Sequence, residues 1–359
     1  MSNNWKYTMQ KHRGKIWLGG SLLATAVVAG GVWLVVSEDS PFSETKEAVS
    51  YLADYSIMAK ASGDFHLVKV SNGETISQFK IESATPLVFQ ASADHETLYA
   101  FNGDELFAVK GTDGEVIQTS VVNGIGKPTP SRFATDGSFI ATYDEKKKSL
   151  DVVDVATKTT TTVSDVPVVK DMLVKDGVVF YLTDKELVQV KDGKENRIEV
   201  GETLTSIQVA EGNLVLHSTF GQEKGENIVL YVNAETLDIE NLQKTGATDT
   251  VMLQNDDGES YIHVGHYVNS ETPGYQFTRF GVGTSGLEKD ELALRIPTET
   301  SDIVFTSKNS VVDKDYIYMH STSGLKVFDV KTQAVTHDIP FDVDYAMPIL
   351  IEKEEEVTK

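Results

Sequence analysis

The sequence predicts an all-β fold: a seven-bladed β-propeller preceded by a single N-terminal transmembrane helix. Three observations predict it. Beyond residue 50, short runs rich in Val, Ile, Tyr, Phe and Thr alternate with turn residues at a spacing of roughly 8–12 positions. A strand followed by a polar turn recurs about every 43 residues, the length of a four-stranded blade. A stretch of 21 residues without a charge, 16–36, precedes all of them.

The uncharged stretch begins at Ile16 and closes at Val36 (IWLGGSLLATAVVAGGVWLVV). As a helix it would cover roughly 30 Å, the hydrocarbon thickness of a bilayer. Trp17 and Trp33 stand near its ends, where amphipathic rings favour the interface. Lys6, Lys11, Arg13 and Lys15 precede it, and Glu38 and Asp39 follow. This bias places residues 1–15 in the cytoplasm and everything beyond the span outside, a single-pass protein of the cell membrane. A cleaved signal peptide is the rival reading, with Ala24-Thr25-Ala26 as the cleavage site. It would leave the apolar residues 27–36 at the new N-terminus, so an uncleaved anchor is the expectation.

Residues 37–50 read as a polar linker. Repeats then follow as HLVKVSNGE from His66, ELFAVKGTDGE from Glu105, LDVVDVATK from Leu150, LVQVKDGK from Leu187, VLYVNAETL from Val229 and LKVFDVKTQ from Leu325, with a looser copy, FTRFGVGTSG, from Phe277. Their turn positions are Gly73, Gly114, Thr157, Gly193, Thr236, Gly286 and Thr332. In the second copy the four strands are PLVFQAS, TLYAFN, ELFAVK and EVIQTSVV. Asn102-Gly103 and Asp113-Gly114 serve as turns, because Asn, Asp and Gly tolerate positive φ. The first copy lacks an inner strand upstream of Ile57. The segment from Ala346 to Ile351 (AMPILI) has that character, so residues 51–351 are expected to form a ring closed by the C-terminal strand. Residues 352–359 (EKEEEVTK) form an acidic tail.

The turns Asp154-Val155-Ala156-Thr157-Lys158, Asp329-Val330-Lys331-Thr332-Gln333 and Asn233-Ala234-Glu235-Thr236 are similar to the Asp/Asn-x-x-Thr-Gly turn of the quinoprotein-like and YVTN-type β-propeller repeat families. The resemblance covers most of 51–351 and implies the fold. The recurrent Trp of the quinoprotein repeat is absent, since Trp5, Trp17 and Trp33 all lie in or before the anchor. The resemblance therefore carries over no active residue.

Composition excludes several classes. The 359 residues hold 32 Lys+Arg against 54 Asp+Glu, a net charge of −22, and no Cys. Disulfide frameworks and thiolate metal sites are excluded. So is nucleic acid as the main partner, because phosphate binding needs clustered cations. No GxSxG, P-loop or HExxH motif occurs. His217, His263 and His320 fall in the second strands of successive blades, and Asn255 to Ser260 (NDDGES) is rich in oxygen donors. Neither is assigned as a metal site: the three histidines hold equivalent positions that could converge near one end of the ring, but packed or surface histidines are the ordinary case, strand parity separates His263 from His266, and the acidic loop lacks EF-hand spacing. No catalytic, cofactor or metal residue is assigned.

Two long connections between second and third strands stand out: 219–227 in the fifth blade and 267–275 in the sixth. Lys146, Lys147 and Lys148 occupy the same turn in the third. Insertions in a repeat mark its binding face. Phe220, Tyr267, Tyr275 and the three lysines are thus the candidate binding residues. The expected role is a membrane-anchored extracytoplasmic scaffold that binds an envelope protein or polymer. The alternative is a propeller enzyme, a quinoprotein-like dehydrogenase, hydrolase or lyase, with its site at the channel mouth.

Overall fold

The computed structural model describes residues 52–92, 95–110, 116–121, 132–201, 204–210, 212–218, 227–246, 250–256, 259–268, 274–283, 286–297, 310–313, 315–321 and 323–349. The proposed span, 16–36, lies outside the described residues. Among the described residues no helix is long and apolar enough to cross a membrane.

The chain is a seven-bladed propeller, each blade four antiparallel strands. The first blade holds β1 (Tyr55–Ala59), β2 (Asp64–Lys69) and β3 (Thr75–Lys80). The second holds β4 (Val88–Ala91), β5 (Thr97–Phe101), β6 (Glu105–Lys110) and β7 (Val116–Val121). The third runs through β8 (Phe133–Thr135), β9 (Phe139–Asp144), β10 (Ser149–Asp154) and β11 (Thr160–Val163), and the fourth through β12 (Asp171–Lys175), β13 (Val178–Leu182), β14 (Glu186–Lys191) and β15 (Lys194–Glu199). The fifth comprises β16 (Ser206–Ala210), β17 (Asn213–His217), β18 (Asn227–Val232) and β19 (Ile239–Gly246). The sixth comprises β20 (Thr250–Asp256), β21 (Glu259–Val268), β22 (Gly274–Gly283) and β23 (Gly286–Pro297). The seventh comprises β24 (Ser310–Val312), β25 (Tyr316–Ser321), β26 (Gly324–Asp329) and β27 (Ala334–Pro340). β28 (Tyr345–Pro348) then returns to the first blade, whose sheet order is β28-β1-β2-β3. Met347 pairs with Ile57 and Ala346 with Met58. Ser56 Oγ donates to the Met347 carbonyl at 3.0 Å, and the Ile349 N–H donates to Tyr55 O at 3.0 Å.

The core lies between blades. Successive side chains on a strand point to opposite faces, so a radial sheet feeds two neighbours at once. In β13, Val179 and Tyr181 enter the cluster shared with the third blade, whereas Phe180 and Leu182 enter the one shared with the fifth. This is why the middle strands read as continuous apolar runs rather than as an alternation. Seven buried clusters, one for each junction, close the circle. The outer strand β15 (KENRIE) is mostly exposed, and its charges blunt an open edge. One junction departs from the rule. A parallel bridge between Gln254 and Val312 joins the sixth and seventh blades into one eight-stranded sheet.

The turns on one side follow a common chemistry. Asp154 Oδ1 accepts from the N–H groups of Ala156 and Thr157 at 2.9 and 3.0 Å. Asn233 does the same for Glu235 and Thr236, at 2.9 and 3.0 Å. The residue after each Thr is left-handed (Lys158 φ 57°, Leu237 φ 62°, Gln333 φ 51°), the position that Gly fills in the similar repeat turns.

Candidate functional site

Antiparallel blades sort every connection onto one of two sides of the ring. Links between first and second strands, and between third and fourth, share one side, where none is longer than 233–238. Links between second and third strands, and from blade to blade, share the other. There the longest are 122–132, 218–226 and 298–309, most of which lies outside the described residues. On that second side the outgoing connection seals onto its own blade's turn: Ile81 N donates to Gly63 O, Val166 N to Lys148 O, Val200 N to Lys185 O and Phe341 N to Ser323 O, at 2.7–2.9 Å. Both ends of the described chain lie on the first, short-connection side. Asp54 O there accepts from Val70 N in the turn after β2, and β28 ends beside Tyr55.

The lysine turn sits on the long-connection side, in 145–148 between β9 and β10. Asp144 Oδ1 accepts from the N–H groups of Lys146 and Lys147 at 3.0 and 3.1 Å, and Lys147 Nζ lies 3.4 Å from Asp144 Oδ2. The Lys147 N–H foremost holds the Asp144 carboxyl below its ordinary range. Lys148 takes φ 52°. Arg132 pairs with Glu145 and stands 5.9 Å over the Tyr143 ring. All three lysines are exposed, so they form a short cationic ridge on an acidic molecule.

Tyr267 and Tyr275 are placed differently from the sequence expectation. They are not in a loop: β21 and β22 extend to pair them with each other, and the ladder ends only at Val268 and Gly274. Tyr, Val and Phe on both arms favour a ladder over a loop, which shortens the connection to 269–273. The Tyr275 ring is half-buried, 6.3 Å from Phe277 and packed on the cluster between the sixth and seventh blades. Phe220 lies outside the described residues.

The three histidines do fall in second strands, β17, β21 and β25, but face different junctions. His217 lies 3.2 Å from Gln208, in the space between the fifth and sixth blades. Ile262 and Val264 point into that same space, so His263 between them points to the sixth–seventh junction. His320 faces the seventh–first junction. Among the described residues, no group of three or more His, Asp or Glu side chains could hold a metal ion.

Polar side chains that stitch the inner strands together went unassigned from sequence. Gln90 on β4 donates to Thr135 O at 2.9 Å and accepts from Thr135 N at 3.0 Å, joining the second and third blades. Gln208 on β16 donates to Val251 O at 3.3 Å, joining the fifth and sixth. Asp171, buried at the start of β12, accepts from Ser206 Oγ at 3.0 Å and Ile207 N at 3.1 Å, joining the fourth and fifth. The Ser206 hydroxyl proton thus goes to a carboxylate already shared with a backbone N–H, whereas the His217 imidazole meets an amide. These bonds form a girdle between blades. The signal was present: a lone Gln, Asp or Thr inside a short inner strand.

Neither a protein-family model nor a curated protein matches the chain. Solved structures do. A chain of a mitotic checkpoint complex is similar with a TM-score of 0.51 at 12% identity, over 74% of this chain and 84% of that one. The dihydro-heme d1 dehydrogenase NirN gives 0.49 at 11%, over 83% and 75%. AztD of Citrobacter koseri gives 0.47 at 14%, over 82% and 83%. At these identities the likeness concerns the β-propeller fold alone.

Proposed function

We propose that this chain is a membrane-anchored, extracytoplasmic β-propeller that docks an envelope protein or polymer through its long-connection side. The observation that carries the reading is the contrast between the two sides of the ring: one keeps tight turns throughout, the other carries the long links and the Lys146–Lys148 ridge. Variation confined to one side of a repeat scaffold is the pattern of a binding surface. Residues 16–36 supply the anchor. The net charge of −22 selects against nucleic acid and favours a neutral or basic partner, with the lysine ridge as a place that takes an acidic group.

A photo-cross-linker introduced at Lys147 or at Lys158, on opposite sides of the third blade, tests the reading in intact membranes. Capture of a discrete partner from position 147 and none from 158 is expected. Equal capture from both, or none, overturns the docking side. Release of the protein by alkaline washing overturns the anchor.

A further inference from the structure

Connection 341–344 leaves the seventh blade and delivers β28 to the first. It is fastened to the first blade by Asp344 N donating to Ala59 O at 3.0 Å, by Ala61 N donating to Asp344 Oδ2 at 2.8 Å and by Lys60 Nζ on Asp342 Oδ2 at 2.7 Å. Phe341 packs on the His66 ring at 4.9 Å. To the seventh blade it is fastened by Phe341 N on Ser323 O at 2.7 Å and by the His320 imidazole, which donates to the Val343 carbonyl. The other ring nitrogen, His320 Nε2, is buried and has no hydrogen-bond partner among the described residues.

A neutral imidazole suits this place: one N–H, one acceptor and one bare nitrogen at a junction whose buried cluster includes Leu325, Val343 and Ala346. A second proton does not suit it, because the new N–H would be buried without an acceptor. The charged groups around the ring are few. Asp344 on the connection favours the cation, but its Oδ2 is engaged by Ala61 N. Asp342 is taken by Lys60, and Asp64 lies across the same turn of the first blade. Lys326, the charged neighbour on β26, faces the other side of the sheet and meets Asp338. On β25 itself the titratable groups are Tyr316 and Tyr318. Burial prevails over Val343 and Asp344 and holds the imidazole below its ordinary value of 6.5. The sign follows. A depressed value in the fold means full stability above 6.5, lost as pH falls through the folded value.

We propose that His320 is an acid-operated latch on ring closure: protonation of its imidazole loosens connection 341–344 and frees β28 from β1. Opening that connection brings water to the bare nitrogen and leaves Asp344 beside the new cation. The latch is local, so the remaining blades keep their pairing while the first blade loses its inner strand.

Amide hydrogen exchange on the full-length chain in detergent micelles, corrected for intrinsic rates between pH 7.5 and 5.0, reads the latch directly. The peptide covering 345–349 is expected to lose more protection than the 186–191 strand of the fourth blade, because only the former rests on the latch. His320→Gln keeps a donor for Val343 but cannot titrate, and its excess loss disappears. His320→Asn serves in the same way should the first variant fold poorly. No excess loss in the wild-type chain overturns the proposal, and so does an undiminished excess in either folded variant.

Discussion

The first and fourth blades are built to one plan but assembled by opposite routes. In the fourth, β12 to β15 follow one another and turn through Asp176-Gly177 and Asp192-Gly193, all four residues left-handed (φ 51°, 75°, 51° and 71°). In the first, the inner strand arrives from the far end of the chain, 291 residues from its partner in the Ser56–Met347 hydrogen bond. Yet both sheets largely bury their inner strands and leave the outer strand wet. The blade is therefore defined by what its strands bury, and the route of the chain decides only how much is lost when one strand is removed.

Removing residues 345–359 takes out the whole inner strand of the first blade. Ala346, Met347 and Ile349 are buried in two different junctions. Each large side chain lost from a core costs about 2–5 kcal/mol, so the sum approaches the whole stability of an ordinary domain, about 5–15 kcal/mol. The truncated chain is expected to lose its cooperative thermal transition or to melt far below the full chain. An unchanged melting temperature would break the equivalence of the two blades.

Next in size is a matched pair of glycines. Gly63, in the turn between β1 and β2, has φ +94°, and a Cβ there would stand 2.1 Å from the Ile81 carbonyl oxygen. Gly193 has φ +71°, but its Cβ would meet only the Thr161 methyl at 3.5 Å. Gly193→Ala pays for the left-handed backbone alone, about 1 kcal/mol, whereas Gly63→Ala must also push backbone aside and should cost about 3 kcal/mol. Denaturant unfolding of the two variants checks the ratio. Equal costs would mean that the Gly63 turn relaxes freely.

A circular permutant sharpens the comparison further. Joining residue 349 to residue 52 through a short linker and opening the chain at 176–177 makes the first blade continuous and splits the fourth. Because loop-closure entropy grows slowly with length, the permutant should fold to within about 1–2 kcal/mol of the parent. Failure to fold would show that the native order of strands carries information that strand pairing does not.

Much of this was legible in the sequence because it is local. Asn102-Gly103 and the Asp/Asn-x-x-Thr turns write their backbone into a few adjacent residues, and the missing inner strand before Ile57 announced that β28 must come from elsewhere. What stayed hidden depends on neighbours distant in sequence. Tyr267 and Tyr275 looked like loop residues beside Asn269, Pro273 and Gly274, and only the pairing of the two arms makes them strand. The Gln254–Val312 bridge depends on how closely two blades approach. Gly63 looks like any turn glycine until Ile81 is placed above it. The girdle of Gln90, Asp171 and Gln208 needs the ring before its partners exist.

The smallest effect probes the local end of that scale. In the Asp192-Gly193 turn both residues take positive φ, the two-residue hairpin form in which Asn is the most favoured first residue and Asp the next. Asp192 is exposed and sits on a chain already carrying a charge of −22. Asp192→Asn therefore relieves the left-handed backbone slightly and removes one charge from a self-repelling surface, and it should raise stability by about 0.3–0.5 kcal/mol at low salt. Urea unfolding at low and at high ionic strength separates the two contributions: the backbone part persists in salt, the charge part does not. The first blade offers no equivalent change, because its turn already holds Asn72, whose Oδ1 accepts from the Glu74 N–H at 3.0 Å. A destabilised Asp192→Asn variant would mean that the Asp192 carboxylate serves the fourth blade through something other than its backbone, and the two blades would then differ in their turns as well as in their route.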